Sequence, residues 1–374
     1  MNKKYNNRLI VFLVGILLVS GVYGKSPKNT SPDSVMQYMK KVADWQWHDI
    51  ETNGFKFEQK DWTNGAMYVG MAAWAKIAND DIYYQKLIKI GNDNQWQIGK
   101  HRHFADDYCI GQLYALLYQK YKNPLYIADF KLLADTLVTL PHTESLLWVN
   151  NIHLREWAWC DALFMAPPAL GFLTSATGDQ KYLDEACKLW WKTSDYLYSK
   201  DQHLFFRDSR YFAQKEKNSK SVFWSRGNGW VMGGMVNLLK VMPANHPDRA
   251  KFINQFKQMA AAISKLQTAD GTWHASLLDP DSYPSKETSG TGFFCYALTW
   301  GINQKILSYK KYYPVVEKAW KALSTSVHAD GKLGYVQPIG AAPEKVSADN
   351  TEVYGVGAFL LAGTELLKLN NAQH

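Results

Sequence analysis

The sequence predicts an all-α protein, an (α/α)6 barrel of six inner and six outer helices. Three observations indicate this fold. Helical periodicity of the apolar residues runs almost without interruption, strand signals are scarce, and helices rich in small residues alternate with more charged helices. Two concentric rings explain the alternation, because inner helices are packed on all sides whereas outer helices keep one solvated face.

The repeating order of helices and connections supports a closed ring. The twelve predicted helices span 33–49, 63–79, 81–98, 105–121, 124–139, 158–177, 179–199, 226–242, 247–267, 289–306, 310–328 and 350–368. Long connections precede the small-residue helices, at 50–62, 99–104, 140–157, 200–225, 268–288 and 329–349. An open solenoid of helix pairs would give a similar pattern. We favour closure because every long loop leads into an inner helix, which collects all the loops at one end.

The N-terminus has the pattern of a secretory signal peptide over residues 1–24. An apolar run at 9–19, too short to span a bilayer comfortably, follows three basic residues, Lys3, Lys4 and Arg8. We therefore expect an exported protein, periplasmic and without a membrane anchor, whose mature chain is one catalytic domain over 25–374. Removal of the signal peptide, with its three basic residues, would lower the formal net charge from +8 to +5.

Composition excludes some partners and leaves others open. The modest positive charge suits a small anionic ligand and an ordinary solvated surface equally, and no lysine-rich tract of a nucleic-acid-binding protein is present. The aromatic fraction of 14% slightly favours a sugar ligand. No CxxC motif or Cys–His cluster is found, so we predict no metal site and no cofactor. Free, buried thiols are expected for the four scattered cysteines, Cys109, Cys160, Cys187 and Cys295.

The first turns of the predicted inner helices have an unusual composition. They read DWTNG at 61–65, HFADD at 103–107, WAWCD at 157–161, WSRGNGW at 224–230 and, later, KETSG and NTEVY. Helix capping explains one polar residue in each turn. It does not explain the tryptophans, the adjacent aspartates or the arginine. If the six ends face one way, they form an aromatic pocket with carboxylates and a guanidinium, and helix N-termini favour an anionic guest.

Within this pocket the residue types suggest roles, each with a simpler alternative. Asp161 precedes an apolar run and is either a partly buried acid or a helix cap. Asp106 or Asp107 is the candidate second carboxylate, and the spacing does not distinguish an inverting from a retaining glycosidase. Arg226 binds either a ligand carboxylate or a structural one. His153 is either a site residue or a satisfied core histidine, whereas sugar stacking is the role expected for Trp62, Trp224 and Trp230.

At these same residues the chain resembles glycoside hydrolase family 105, the unsaturated rhamnogalacturonyl hydrolases. The stretches WCDALFMAPPAL at 159–170 and FWSRGNGW at 223–230 are the most specific. Weaker matches run across nearly the whole mature chain, at 61–73, 103–114, 287–301 and 351–365. The resemblance implies an (α/α)6 barrel that uses no metal.

The resemblance also implies an unusual hydrolysis. The substrate is a small acidic oligosaccharide, left by a polysaccharide lyase with a C4–C5 double bond in its terminal uronic acid. An aspartic acid protonates C4, water adds at C5, and the resulting hemiketal opens and releases the next sugar. Asp161 matches the proton donor and Asp106, or its neighbour Asp107, the second site aspartate. The substrate pocket matches at Trp62, Asn64, Trp224, Arg226 and Trp230.

One departure from the family pattern concerns the leaving sugar. Some members have a histidine where this chain has Arg207. The preferred substrate is nevertheless a rhamnogalacturonan oligosaccharide, from which the enzyme would release 4,5-unsaturated galacturonic acid. One alternative is a hydrolase for unsaturated glucuronyl residues of glycosaminoglycans or other acidic chains. A second is a non-catalytic periplasmic sugar-binding protein, which would have no need of a buried acid at Asp161.

Overall fold

The computed structural model describes Met1 and residues 29–371, and the predicted signal peptide lies outside this range apart from its first residue. In the described chain no helix is long and apolar enough to cross a bilayer. Its helices are α1 Pro32–Asn53, α2 Trp62–Ala78, α3 Asp81–Asp93, α4 Gly111–Tyr121, α5 Leu125–Thr139, α6 Ala162–Thr177, α7 Lys181–Leu197, α8 Ser225–Val241, α9 Arg249–Lys265, α10 Thr288–Asn303, α11 Tyr309–Ser324 and α12 Val353–Asn371. Two short antiparallel strands, β1 Tyr198–Ser199 and β2 Leu204–Phe205, follow α7.

The even-numbered helices form a closed inner ring. Each packs against the next even-numbered helix, and α12 returns to pack against α2. Each odd-numbered helix packs mainly on one inner helix, α1 on α12 and α3 to α11 on the inner helix that precedes them. This ring of six helical hairpins confirms the predicted barrel and rules out the open solenoid.

Glycines allow the inner helices to approach closely where the ring closes. A Cβ atom placed on Gly70 of α2 would lie 2.4 Å from the carbonyl oxygen of Gly357 in α12. A Cβ atom on Gly357 would lie 2.4 Å from the carbonyl oxygen of Ala66. The two backbones therefore touch directly, which requires glycine at both positions.

Helix α6 contains two consecutive prolines, Pro167 and Pro168, in its interior. Proline has no N–H, so the carbonyls four residues earlier lose their helical partners. The side chain of Gln112 in α4 donates a 2.9 Å hydrogen bond to one of them, the carbonyl of Phe164. The inner ring thus satisfies a carbonyl that the proline pair leaves free.

The predicted boundaries are least accurate next to the site. Helix α3 ends at Asp93 rather than near residue 98, because Gln95 and Trp96 have positive φ angles of 53° and 57°. The segment Ala105–Tyr108, predicted as part of α4, is a separate 3-10 turn. Helix α6 begins at Ala162 rather than near residue 158. The four cysteines are free and buried, as predicted.

Candidate active site

Asp161 lies directly before the first residue of α6 and is 8% exposed. Within the described residues its side chain accepts no capping hydrogen bond from that helix, so the capping role is not observed. Burial raises the pKa of the Asp161 carboxyl, while the positive charges of Arg207 and Arg226 oppose the rise. A carboxyl with a raised pKa can be protonated and donate its proton near neutral pH.

Asp106 belongs to the 3-10 turn that precedes α4. Its Oδ1 atom is buried and has no hydrogen-bond partner among the described residues. Burial, together with the negative charge of Asp161, raises the pKa of Asp106 well above its usual range. The two aspartates therefore form an enclosed pair whose members resist simultaneous ionisation.

The neighbouring carboxylate of Asp107 faces elsewhere. It accepts hydrogen bonds from the backbone N–H of His101 at 2.7 Å and lies 3.0 Å from the Nδ1 atom of the same residue. It holds the loop at 99–101 rather than facing Asp161. The structure therefore places Asp106, and not Asp107, beside Asp161.

Arg207 follows the β1–β2 hairpin, and its side chain lies beside the pair formed by Asp106 and Asp161. Its Nε atom lies 3.5 Å from Oδ2 of Asp161. Two backbone anchors fix its position: the Asn228 side chain of α8 bonds the N–H and carbonyl of Phe205, at 2.7 and 3.0 Å, and the N–H of Cys160 donates to the Arg207 carbonyl at 2.8 Å. A guanidinium is thereby held beside the candidate acid.

Asp208 holds the guanidinium groups of two arginines. This fully buried residue accepts a 2.7 Å hydrogen bond from Nη1 of Arg207 and bonds of 2.9 and 2.8 Å from Nε and Nη2 of Arg210. Although burial opposes it, the hydrogen bonds from Arg210 and Arg207 lower the pKa of Asp208. The ionised carboxylate therefore orients Arg207 towards Asp161.

Arg226, in the first turn of α8, is a buried cation that is 1% exposed. Its Nη atoms donate to the backbone carbonyls of Gln337 and Pro338, and its guanidinium lies over the ring of Trp224 at 4.4 Å. No carboxylate of the described residues forms an ion pair with it. A buried cation without an anion is unfavourable, which suggests that a ligand supplies the negative charge.

The three tryptophans expected to stack on sugar differ in accessibility. Trp62 is partly exposed and stacks on Tyr354, with ring centroids 5.5 Å apart and planes at 19°. Trp230 is fully buried against the edge of Trp62. Trp224 is 2% exposed, and its Nε1 donates to Oε1 of Gln337 at 2.9 Å. The expectation is therefore corrected for Trp230 and Trp224, which support the pocket wall, and Trp62 is the ring with a free surface.

His153 and Asn64, two further predicted site residues, both make contacts within the protein. The His153 ring stacks on Trp148 at 5.7 Å and 12°, and the guanidinium of Arg207 lies 5.0 Å from the same tryptophan. Burial and the charge of Arg207 lower the pKa of His153, which favours the neutral ring. Asn64 donates to the carbonyl of Glu58 at 2.9 Å, so its amide holds the loop before α2.

Three residues that contact the candidate site residues were not predicted from the sequence. Trp148 lies within the long loop before α6, where no periodicity marks it. Asp208 is next to Arg207 but resembles an ordinary loop aspartate until its two arginine partners are seen. Tyr354 stood in one of the unusual helix starts and could have been selected there as an aromatic partner for Trp62.

Comparison with known proteins identifies the family. The sequence profile of glycosyl hydrolase family 88 matches residues 36–370. The chain belongs to this family. It is a glycoside hydrolase, as predicted, and the family match covers both candidate carboxylates.

Named relatives cover most of the chain. It is 40% identical to an unsaturated 3S-rhamnoglycuronyl hydrolase from Formosa agariphila, over 96% of each chain. It is 37% identical to a protein of the same name from Alteromonas sp. (strain LOR), over 86% of this chain and 80% of that one. A solved family 88 structure from Bacteroides vulgatus is similar at 29% identity and a TM-score of 0.81, over 90% and 99% of the two chains. The last comparison independently supports the six-hairpin fold.

Proposed function

We propose that this hydrolase removes a 4,5-unsaturated uronic acid from the non-reducing end of an oligosaccharide in which the uronic acid is linked to rhamnose. The observation that carries the proposal is the enclosed pair of Asp106 and Asp161 beside Arg226, a buried cation without an ion-pair partner among the described residues. The relatives named rhamnoglycuronyl hydrolases support rhamnose as the leaving sugar. The motifs around Asp161 and Arg226 further support placement in family 105.

The leaving sugar and the anomeric linkage, rather than the uronic acid, separate the candidate substrates. Galacturonic and glucuronic acids differ only in configuration at C4, and this carbon is trigonal in the unsaturated ring. Rhamnogalacturonan and glucuronate-containing chains therefore yield the same unsaturated sugar. The same unsaturated ring would therefore face Asp161 with either substrate, the galacturonyl substrate predicted from the sequence or the rhamnoglycuronyl substrate of the relatives.

In the proposed reaction Asp161 transfers its proton to C4 of the double bond. The positive charge that develops at C5 and the ring oxygen is quenched by water, whose proton returns to the Asp161 carboxylate. The hemiketal then opens by breaking the C5–O bond, and the hemiacetal at C1 expels the leaving sugar. Asp161 thus ends the cycle protonated, as it began.

The other residues bind the ring and tune the acid. Arg226 is assigned to the carboxylate of the uronic acid, since its charge has no ion-pair partner in the described chain and carboxylates fit a guanidinium fork. Trp62 supplies the stacking surface. Asp106, whose own pKa is raised well above the usual range, is assigned to the sugar hydroxyls as a neutral carboxyl that can donate and accept hydrogen bonds. We further propose export to the periplasm as one mature domain, on the basis of the basic and apolar pattern over residues 1–24.

A panel of lyase-generated disaccharides tests the proposal. The ultraviolet absorbance of the double bond is followed with a rhamnogalacturonan disaccharide, an unsaturated 3S-rhamnoglycuronyl disaccharide and a glycosaminoglycan disaccharide. Loss of absorbance with a rhamnose-linked substrate is the expected result. Loss with the glycosaminoglycan substrate alone would overturn rhamnose as the leaving sugar. Binding without loss for every substrate would instead indicate the sugar-binding protein.

A further inference from the structure

The fold brings together a cysteine, a histidine and two aspartates away from the active site. The Sγ atom of Cys187, a ring nitrogen of His246 and a carboxylate oxygen of Asp248 lie within 4.8 Å of one another. Asp184, one turn before Cys187 on α7, lies 3.4 Å from Nε2 of His246. His246 and Asp248 follow the C-terminal end of α8, whose N-terminal end carries Arg226.

In the described part of the chain, the side chain of Asp248 does not cap the helix that follows it. Asp248 precedes α9 at the capping position, yet within the described chain its carboxylate accepts no capping bond. Its backbone N–H instead donates to Nδ1 of His246 at 3.2 Å, which fixes the imidazole and leaves Nε2 towards Asp184. Cys187 is 1% exposed and His246 9% exposed, so two of the donors are nearly enclosed.

The cluster also concentrates negative charge around a thiol. A carboxylate oxygen of Asp248 lies within 4.8 Å of the Cys187 Sγ atom, and the carboxylate of Asp184 lies beside the ring of His246. A divalent cation would offset the two carboxylates and stabilise the thiolate as a ligand. Asp184 is exposed and marks the side from which an ion can enter.

We propose that Cys187, His246 and Asp248 bind a divalent transition-metal ion of the Zn²⁺ type, with Asp184 or water as the fourth ligand. Sulfur, imidazole and carboxylate ligands together suit Zn²⁺, which binds them at about 2.0–2.3 Å in tetrahedral sites. The ion would tie α7 to the α8–α9 turn. The sequence predicted no metal site because Cys187 is far in the chain from His246 and Asp248.

Cobalt binding tests the site directly. Metal-free enzyme is titrated with Co²⁺, and the sulfur-to-cobalt charge-transfer band in the near ultraviolet is recorded. We expect one equivalent to produce the band, and Zn²⁺ to displace Co²⁺ and raise the melting temperature. Cys187→Ser should abolish the band, whereas Cys295→Ser, at a buried thiol outside the cluster, should retain it.

A second variant covers the case in which Cys187→Ser does not fold. Asp248→Asn is nearly isosteric and should weaken Co²⁺ binding by at least about tenfold while leaving hydrolysis unchanged. The proposal is overturned if wild-type enzyme shows no saturable band. It is equally overturned if Cys187→Ser keeps the band or if Asp248→Asn binds Co²⁺ with unchanged affinity.

Discussion

The guanidinium Nε of Arg207 lies 3.5 Å from a carboxylate oxygen of Asp161. The proposed proton donor therefore shares its enclosure with a permanent positive charge. Burial of Asp161 favours the protonated acid, and Arg207 favours the carboxylate. The balance suits a group that donates a proton to C4 and then accepts one from water in the same cycle.

Replacing Arg207 by glutamine should move the pH profile of kcat. Asp161 must be protonated to act as an acid, so activity falls as the pH rises through its pKa. Removing the nearby positive charge raises that pKa, and the alkaline limb should shift to higher pH. Arg207→Lys keeps the charge and is the matched control. An alkaline limb that stays in place or moves to lower pH in Arg207→Gln would refute the tuning role.

Asp161→Asn should remove the proton donor without removing the fold. We expect kcat to fall by about 10²–10⁴, the usual contribution of general acid–base catalysis. The side chain keeps its volume and makes no capping bond to α6 that the change could break. Steady-state kinetics on the preferred disaccharide provide the measurement, with circular dichroism as the control for folding. Wild-type kcat in this variant would exclude Asp161 as the donor.

Matched substitutions of Asp106 and Asp107 test which of the two residues is the second carboxylate of the site. Asp106→Asn should lower kcat/KM by at least about tenfold, because the amide replaces the carboxyl that is assigned to the sugar hydroxyls. Asp107→Asn should leave kcat/KM within about twofold, since that side chain faces His101. The reverse ranking of the two variants would show that the wrong aspartate has been assigned.

The same buried acid should reduce the stability of the folded protein. A carboxyl whose pKa is raised on folding destabilises the fold at every pH above its unfolded pKa, because ionisation is opposed only in the folded state. Asp106→Asn should therefore raise the melting temperature at pH 7 by at least about 2 °C. The gain should shrink as the pH falls below the usual carboxyl range. Calorimetry at both pH values checks this, and a lower melting temperature at pH 7 would contradict the assigned cause.

The ring architecture could be predicted from sequence because its causes are local and repeated. Small residues such as Gly70 and Gly357 mark inner helices, and charged residues mark outer ones. The 3-10 turn holding Asp106 was not predictable, since its residues also suit the first turn of an α-helix. Nor was the end of α3, which depends on left-handed backbone at Gln95 and Trp96.

The clustering of the candidate site residues was predictable for the group but not for each residue. The helix starts identified Asp161, Arg226 and Trp62, because their composition exceeds what capping needs. The sequence could not show which of Asp106 and Asp107 faces Asp161. The two residues are adjacent, and the conformation of their 3-10 turn decides which carboxylate points towards Asp161. Burial of Trp230 depends on packing from three other helices. The donors near Cys187 come from different hairpins, and no local spacing reports them.

In the proposed reaction, cleavage proceeds by hydration of the double bond and not by attack at the anomeric carbon. Running the reaction in D₂O and following it by NMR tests this most directly. We expect the vinyl signal to disappear at the rate at which the leaving sugar is released, with one solvent deuteron at C4 of the product. Release of the sugar while the vinyl signal remains, and without deuterium at C4, would contradict it.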